Sequence, residues 1–252
     1  MVKIASLSDI HGQWTRPKYL PADVLVCAGD LLKNYSYDRN QDARAQLAEV
    51  RQFVKHLEQQ PYQEVFVVAG NHDFVFENKD TRFEAQKILE DHGLIYLEDE
   101  SISLKFAEEA DPAKPGVVEY EWIKFYGSPM TPWFHSWAFN FNEHDRIGGF
   151  AQAKRTWAKI PDDTNVLITH GPPRNILDLC PNDERVGCPE LRNVVNRLVA
   201  KGSLKACYMG HIHMSAGIQL MDSGSGGKCM FKNTALLGED YKTLKEITVE
   251  EI

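Results

Sequence analysis

Five short apolar runs in this 252-residue chain each end in side chains able to bind a metal or move a proton. Ile4 to Ser8 ends in Asp9-Ile10-His11, Val24 to Ala28 in Gly29-Asp30, and Val65 to Ala69 in Gly70-Asn71-His72-Asp73. Val166 to Thr169 ends in His170, and Ala206 to Met209 in Gly210-His211-Ile212-His213. The donors are carboxylates, imidazoles and one amide, with no sulfur, an inventory that suits Mn, Fe or Zn. Asp9 and His11 are two apart, so on an extended segment both approach one cation. Asp30 has two carboxylate oxygens and could bridge two cations. A pair of cations ~3.5–4 Å apart serves phosphate-ester hydrolysis by clamping the attacking and leaving oxygens. Each piece alone has a plain structural reading: a turn, a surface pair, or a helix cap at Asn71 or Asp73. The chemical reading comes from their order, each at the end of an apolar run.

The elements that must position these residues alternate. Short buried strands are expected at Val2–Ser8, Val24–Ala28, Val65–Ala69, Leu94–Leu97, Val166–Thr169 and Ala206–Met209. Amphipathic periodicity predicts helices over Asp42–Gln59, Thr81–His92, Arg146–Lys159 and Gly187–Ala200. Ile102–Phe106 and Glu119–Tyr126 read as antiparallel strands across an acidic loop, Glu108–Gly116. Ile218–Met221, Lys228–Phe231 and Leu244–Val249 read as strands, with a hairpin tip at Gly224-Ser225-Gly226-Gly227. Asn34 to Asn40 reads as a surface loop, and 127–142 as aromatic-rich and irregular. Helices alternating with strands, then hairpins, favour α/β layers with a mixed sheet or two sheets, in one domain over 1–252.

Composition narrows the partners. The net charge of −8 argues against stable nucleic-acid binding or an anionic membrane surface, since both need basic footprints. No apolar run approaches ~20 residues, so no spanning helix is expected. The five cysteines, Cys27, Cys180, Cys188, Cys207 and Cys229, form no CxxC pair and read as reduced. With no signal-peptide pattern after Met1, they point to a reducing, cytoplasmic setting.

The ordered set Asp9-x-His11, Gly29-Asp30, Gly70-Asn71-His72-Asp73, His170 and Gly210-His211-x-His213 resembles the calcineurin-like metallophosphoesterase superfamily over nearly the whole chain. Gly127-Ser128-Pro129, Pro132-Trp133-Phe134, Trp137-Ala138-Phe139-Asn140, Thr169-His170-Gly171-Pro172-Pro173 and Arg185-Val186-Gly187-Cys188 are similar to its metallophosphoesterase-domain-containing (239-type) subfamily. The resemblance implies a four-layer α-β-β-α sandwich of two mixed sheets flanked by helices. It implies two divalent ions, Mn²⁺ first, with Fe, Zn, Ni or Mg as alternatives. One ion would take Asp9, His11, Asp30 and His213, and the other Asp30, Asn71, His170 and His211. It implies phosphodiesterase activity on cyclic nucleotides or other small phosphodiesters, by in-line attack of a metal-bridging hydroxide. His72 would then be the catalytic helper, with Asp73 orienting it or a ligand. The alternatives are a phosphomonoesterase or RNA-end (2′,3′-cyclic phosphate) phosphatase on the same site, and an inactive binding scaffold. Protein Ser/Thr phosphatases carry an Asp-Arg pair after Gly-Asp and a Glu after Asn-His. Here Leu31-Leu32 and Asp73 stand there, which moves weight toward diesters. Asn34, Tyr35 and Arg174 sit near motif ends as candidate substrate contacts. Trp133, Phe134, His135 and Trp137 are candidates for a base-stacking pocket.

Overall fold

Period-two alternation of apolar side chains sets the layering. In β1 (Lys3–Leu7), Ile4 faces one way and Ala5 and Leu7 the other. In β2 (Val24–Ala28), Val24, Val26 and Ala28 oppose Leu25 and Cys27; in β3 (Glu64–Val68), Phe66 and Val68 oppose Val65 and Val67. A strand apolar on both faces has to be covered on both. The structure is a computed structural model and describes residues 1–36, 38–107, 119–145 and 147–252.

The first sheet is completed by β4 (Ile95–Tyr96) and β11 (Val249–Glu251), in the order β11-β1-β2-β3-β4, parallel except for β11. The second holds β5 (Glu100–Ala107), β6 (Tyr120–Ser128), β7 (Val166–Thr169), β8 (Ala206–Met209), β9 (Gly217–Asp222) and β10 (Lys228–Asn233). Its order is β5-β6-β7-β8-β10-β9, antiparallel at both margins and parallel within. The helices are α1 (Arg39–Leu57), α2 (Phe74–Glu77), α3 (Arg82–Asp91), α4 (Ala151–Trp157) and α5 (Pro189–Lys201).

Three cores separate four layers. Leu25, Cys27 and Val67 pack with Val50, Phe53 and Val54 of α1 and with Leu89 of α3. Leu167, Cys207 and Met209 pack with Trp157 of α4 and Leu191, Val195 and Leu198 of α5. Between the sheets lie Val24, Val26, Phe66 and Val68 against Ile123, Phe125, Val166, Ile168 and Tyr208. Phe66 and Phe125 stack there at 4.2 Å. The result is an α-β-β-α sandwich of two mixed sheets. Among the described residues, no helix is long and apolar enough to cross a membrane.

Several elements depart from expectation, each for a local reason. Helix α1 starts at Arg39, three residues early, because the Asp38 carboxylate accepts from the Asn40 and Gln41 N–H groups, a cap worth about 1 kcal/mol. Helix α4 starts at Ala151, late, because Gly149 and Phe150 take left-handed conformations, φ 70° and 59°. The Asp145 carboxylate then accepts from the Gln152 and Ala153 N–H groups. The expected strand Leu244–Val249 is reduced to an isolated bridge, Leu237 to Leu244, before β11. The short helix α2 was not expected. The Gly224–Gly227 tip joins β9 to β10, pairing Asp222 with Lys228. The acidic loop 108–116 and the expected helix start at 146 lie outside the described residues.

Candidate dinuclear metal centre

The loops after β1, β2, β3, β7 and β8 converge on one edge of the sandwich. Two donor groups form there, Asp9 with His11 and His213, and Asp30 with His170 and His211. Within each group the donor atoms lie within 4.8 Å of one another. Asp30 stands between them. Its Oδ2 is 3.4 Å from His170 Nε2 and 4.0 Å from His11 Nε2. Its Oδ1 accepts from the His72 backbone N–H at 2.7 Å, so a single oxygen faces both groups. Asn71 joins the second group, its Oδ1 2.8 Å from His170 Nε2. The seven expected ligands are therefore brought together.

The backbone that does this is not the extended one expected. Asp9 (φ 51°), His11 (44°), Asp30 (53°) and His211 (70°) are all left-handed. Asp9 and His11 thus do not meet through extended i, i+2 geometry: strand β1 has ended, and the turn beyond it aims both side chains inward. Such backbone costs on the order of 1–3 kcal/mol per residue and persists where neighbours fix it. The Asp9 carboxylate accepts from Ser8 Oγ at 2.6 Å and from the His211 N–H at 2.9 Å. Two glycines permit the close approaches. A Cβ on Gly70 would meet Asp30 Oδ1 at 2.2 Å, and one on Gly210 would meet Asp9 Oδ2 at 2.2 Å. Gly70 is needed for contact rather than for an unusual φ.

Outer hydrogen bonds set the ring orientations. His170 Nδ1 donates to Ala28 O at 2.9 Å and His213 Nδ1 to Gly238 O at 3.3 Å, leaving both Nε2 atoms facing the carboxylates. Burial raises the Asp9 carboxyl, but the His213 hydrogen bond and the His170 and His213 charges override it, to about 2. Burial likewise raises Asp30, yet His170 and His72 hold it well below the usual carboxylate range. Burial pushes both His11 and His211 down to about 4.

The residues fit a pair of divalent cations. Among the described residues His11 Nε2 is buried with no hydrogen-bond partner, and Asn71 Oδ1 lies 2.8 Å from His170 Nε2, beside two ionised carboxylates and the imidazole nitrogens that face them. His72 is also present, its Nδ1 buried and unpartnered, its ring 5.1 Å from His11 and 4.2 Å from Trp137.

Asp73 is placed elsewhere. Its carboxylate accepts from the Leu31, Leu32 and Gly70 N–H groups at 3.0, 2.9 and 2.8 Å. Both oxygens are thus engaged, and neither caps α2. It ties the β2 loop to the β3 loop, and among the described residues no hydrogen bond joins it to His72 or to a donor side chain, the orienting contact expected of it. Among the described residues, no hydrogen bond or ring contact joins Asn34, Trp133 or Arg174 to the site's histidines. Asn34 Oδ1 is buried and unpartnered, Trp133 is exposed, and Arg174 is exposed in the loop after β7. The aromatic segment reaches the site through Trp137, with Phe134 edge-on to it at 5.6 Å and His135 tilted against it at 5.7 Å.

Sequence reasoning missed Gln46 and Tyr241. Gln46 Nε2 donates to His72 O at 2.7 Å, and its Oε1 accepts from the Val75 N–H at 3.0 Å. It falls on the apolar stripe of α1, and a polar residue there was the available signal. Tyr241 packs against His11 and His213 with no motif to announce it.

Comparison with known proteins agrees with this geometry. A metallophosphoesterase domain-containing protein 1 of Homo sapiens is 30% identical over 95% of this chain and 68% of its own length, as is that of Mus musculus. A phosphopantetheinyl hydrolase structure from Mycobacterium tuberculosis superposes with a TM-score of 0.55, covering 95% of this chain and 90% of that one at 14% identity, a likeness of fold. The family model for calcineurin-like phosphoesterases matches residues 2–215, which span every donor of both groups. With the layered fold and the paired donor groups, that match shows that the chain belongs to the calcineurin-like phosphoesterase family.

Proposed function

We propose that this protein is a two-metal phosphodiesterase acting on cyclic nucleotides or other small phosphodiesters, with Mn²⁺ as its best cation. The observation that carries the reading is Asp30 Oδ2 set between two donor groups, with the unpartnered His72 beside them. Bound divalent cations supply Lewis-acid charge and activated water to such a site. Asp9, His11 and His213 would hold one, and Asn71, His170 and His211 the other, with Asp30 shared. In the hydrolysis, water adds to phosphorus, the bond from phosphorus to one ester oxygen breaks, and that oxygen takes a proton. His72 is placed to give it, since its Nδ1 has no other partner. Leu31 and Leu32, both buried, occupy the place after Gly29-Asp30 where a monoester phosphate would meet an arginine in protein phosphatases, which supports the diester reading. Residues 1–252 act as one such domain, for β11 in the tail completes the first sheet against β1. Five free thiols, four of them buried, support a reducing, cytoplasmic setting.

The test is a metal-by-substrate matrix with bis(p-nitrophenyl) phosphate, p-nitrophenyl phosphate and a 2′,3′-cyclic nucleotide. Diester turnover with Mn²⁺ should exceed monoester turnover. His72→Ala should lower kcat by about 10²- to 10⁴-fold, the usual contribution of a positioned acid. Asp30→Asn should lower bound metal as well. Metal-loaded protein inert toward the whole panel would end the phosphodiesterase reading.

A further inference from the structure

Tyr241 lies in the turn 238–243 between β10 and β11, remote in sequence from every donor but His211 and His213. Its ring centroid is 5.0 Å from that of His11 and 4.9 Å from that of His213. The residue is nonetheless 47% exposed, so the ring covers two donor histidines and still presents surface to solvent. Its φ is 55°, rare for a bulky side chain. The turn is built to hold it there. The Tyr241 N–H donates to Gly238 O at 2.9 Å, and the Gly238 N–H to Thr243 O at 2.8 Å. The Asp240 carboxylate accepts from the Lys242 and Thr243 N–H groups and from Thr243 Oγ1. From the β1 loop, Gln13 Nε2 donates to Tyr241 O at 3.1 Å and Arg16 Nη2 to Lys242 O at 3.0 Å.

A chain of ring contacts runs through the site's histidines. Trp137 is 4.2 Å from His72, His72 is 5.1 Å from His11, and His11 is 5.0 Å from Tyr241. Among the described residues Trp137 and Tyr241 share no ring contact, the one touching His72 and the other His11 and His213. A phosphodiester carries two ester arms, where a monoester carries one. His72, on the Trp137 side, serves the arm that leaves. The arm that stays on phosphorus lies equatorial to the line of attack and so leaves the centre in another direction, and Tyr241 is the exposed ring beside the donors away from His72.

We propose that Tyr241 is a specificity-determining residue whose ring packs on the retained ester arm and selects phosphodiesters in which that arm carries a planar ring. This rests on the phosphodiesterase reading above. An aromatic contact of this kind is worth about a fivefold preference.

The experiment compares bis(p-nitrophenyl) phosphate with methyl p-nitrophenyl phosphate, which release the same phenol and differ only in the retained arm. In Tyr241→Ala, the kcat/KM ratio of the aryl to the methyl substrate should fall about fivefold, carried by KM, and Tyr241→Phe should keep the wild-type ratio. Metal content per chain, by elemental analysis, should stay at the wild-type value in both variants. An unchanged ratio, or a loss on both substrates alongside lost metal, would overturn the proposal and leave Tyr241 as a support for His11 and His213. If the wild type hydrolyses neither diester, the phosphodiesterase reading fails, and calorimetry decides separately for the ring. Tighter binding of diphenyl than of dimethyl phosphate by the metal-loaded wild type, lost in Tyr241→Ala, upholds it; equal affinities overturn it.

Discussion

Asp30 Oδ2 faces two imidazoles, yet they are pushed in opposite directions. Burial lowers His170, but the Asp30 and Asp9 carboxylates more than offset it and raise it to about 9. At His11 burial prevails over the same carboxylates, and the value falls to about 4, as it does at His211. The unfolded value is about 6.5. His170 thus contributes stability that is complete below about pH 6.5 and lost as pH rises through about 9. His11 and His211, folded as neutral rings, contribute stability present above about pH 6.5 and lost as pH falls toward about 4. The metal-free protein should therefore melt highest near pH 6.5 and at a lower temperature toward pH 9. Cations bind deprotonated donors, so Mn²⁺ should stabilise more at pH 9 than at pH 6.5. Thermal melts with chelator and with Mn²⁺ across pH 5–9 check both, and a flat metal-free profile would sink the assignment. At this scale the donors were legible because residue type and strand end coincide at each one. Their left-handed backbone was not, since nothing local separates an extended Asp-x-His from a turned one.

At the scale of elements, α1 does more than cover a sheet. Its buried face carries Ala43, Val50, Phe53 and Val54, and also Gln46 and Glu49. Gln46 holds His72 O and the Val75 N–H, and Glu49 Oε2 accepts from the Lys33 N–H at 2.9 Å. The helix thus braces the loops after β2 and β3 from behind. Gln46→Leu leaves buried backbone groups unpaired, at about 1–3 kcal/mol in chemical denaturation. It should also lower kcat about tenfold by loosening His72, since misplacing a reacting group costs rate steeply. Val50→Ala, a core change on the same face, should lower stability without that loss of kcat. If both variants keep wild-type kcat, Gln46 supports only the fold. The strands and helices were legible from their periods. The starts of α1 and α4 were not, because Asp38 and the Gly149-Phe150 bend set them by local hydrogen bonding and backbone twist rather than by hydrophobic pattern.

Across the whole molecule, the centre straddles the two sheets. Asp9, His11, Asp30, Asn71 and His72 follow strands of the first, and His170, His211 and His213 follow strands of the second. The core between the sheets, with Phe66 on Phe125, keeps the two half-sites in register. Phe66→Ala should cost about 3–5 kcal/mol in urea unfolding. It should also weaken Mn²⁺ binding by calorimetry, although Phe66 is no ligand. Unchanged affinity would mean that the loops hold the centre without help from the inter-sheet core. The layered architecture could be read from alternating helices and strands, but the order of strands within each sheet could not, because β9 to β11 return to both sheets through long-range pairing.

The left-handed backbone at Asp9, His11, Asp30 and His211 has a consequence for how loss of function is read. Asp, Asn and His tolerate that conformation several-fold better than other residues bearing a Cβ. Backbone sterics and coordination chemistry therefore draw on the same short alphabet, and few other letters can be written at these four places. Alanine there deletes a candidate donor and also disturbs the main chain, so its effect mixes two causes. Glycine keeps the turn and removes the donor outright, whereas asparagine keeps the turn and exchanges the charge or the imidazole for an amide oxygen, so the pair separates loss of the donor from a change in its kind.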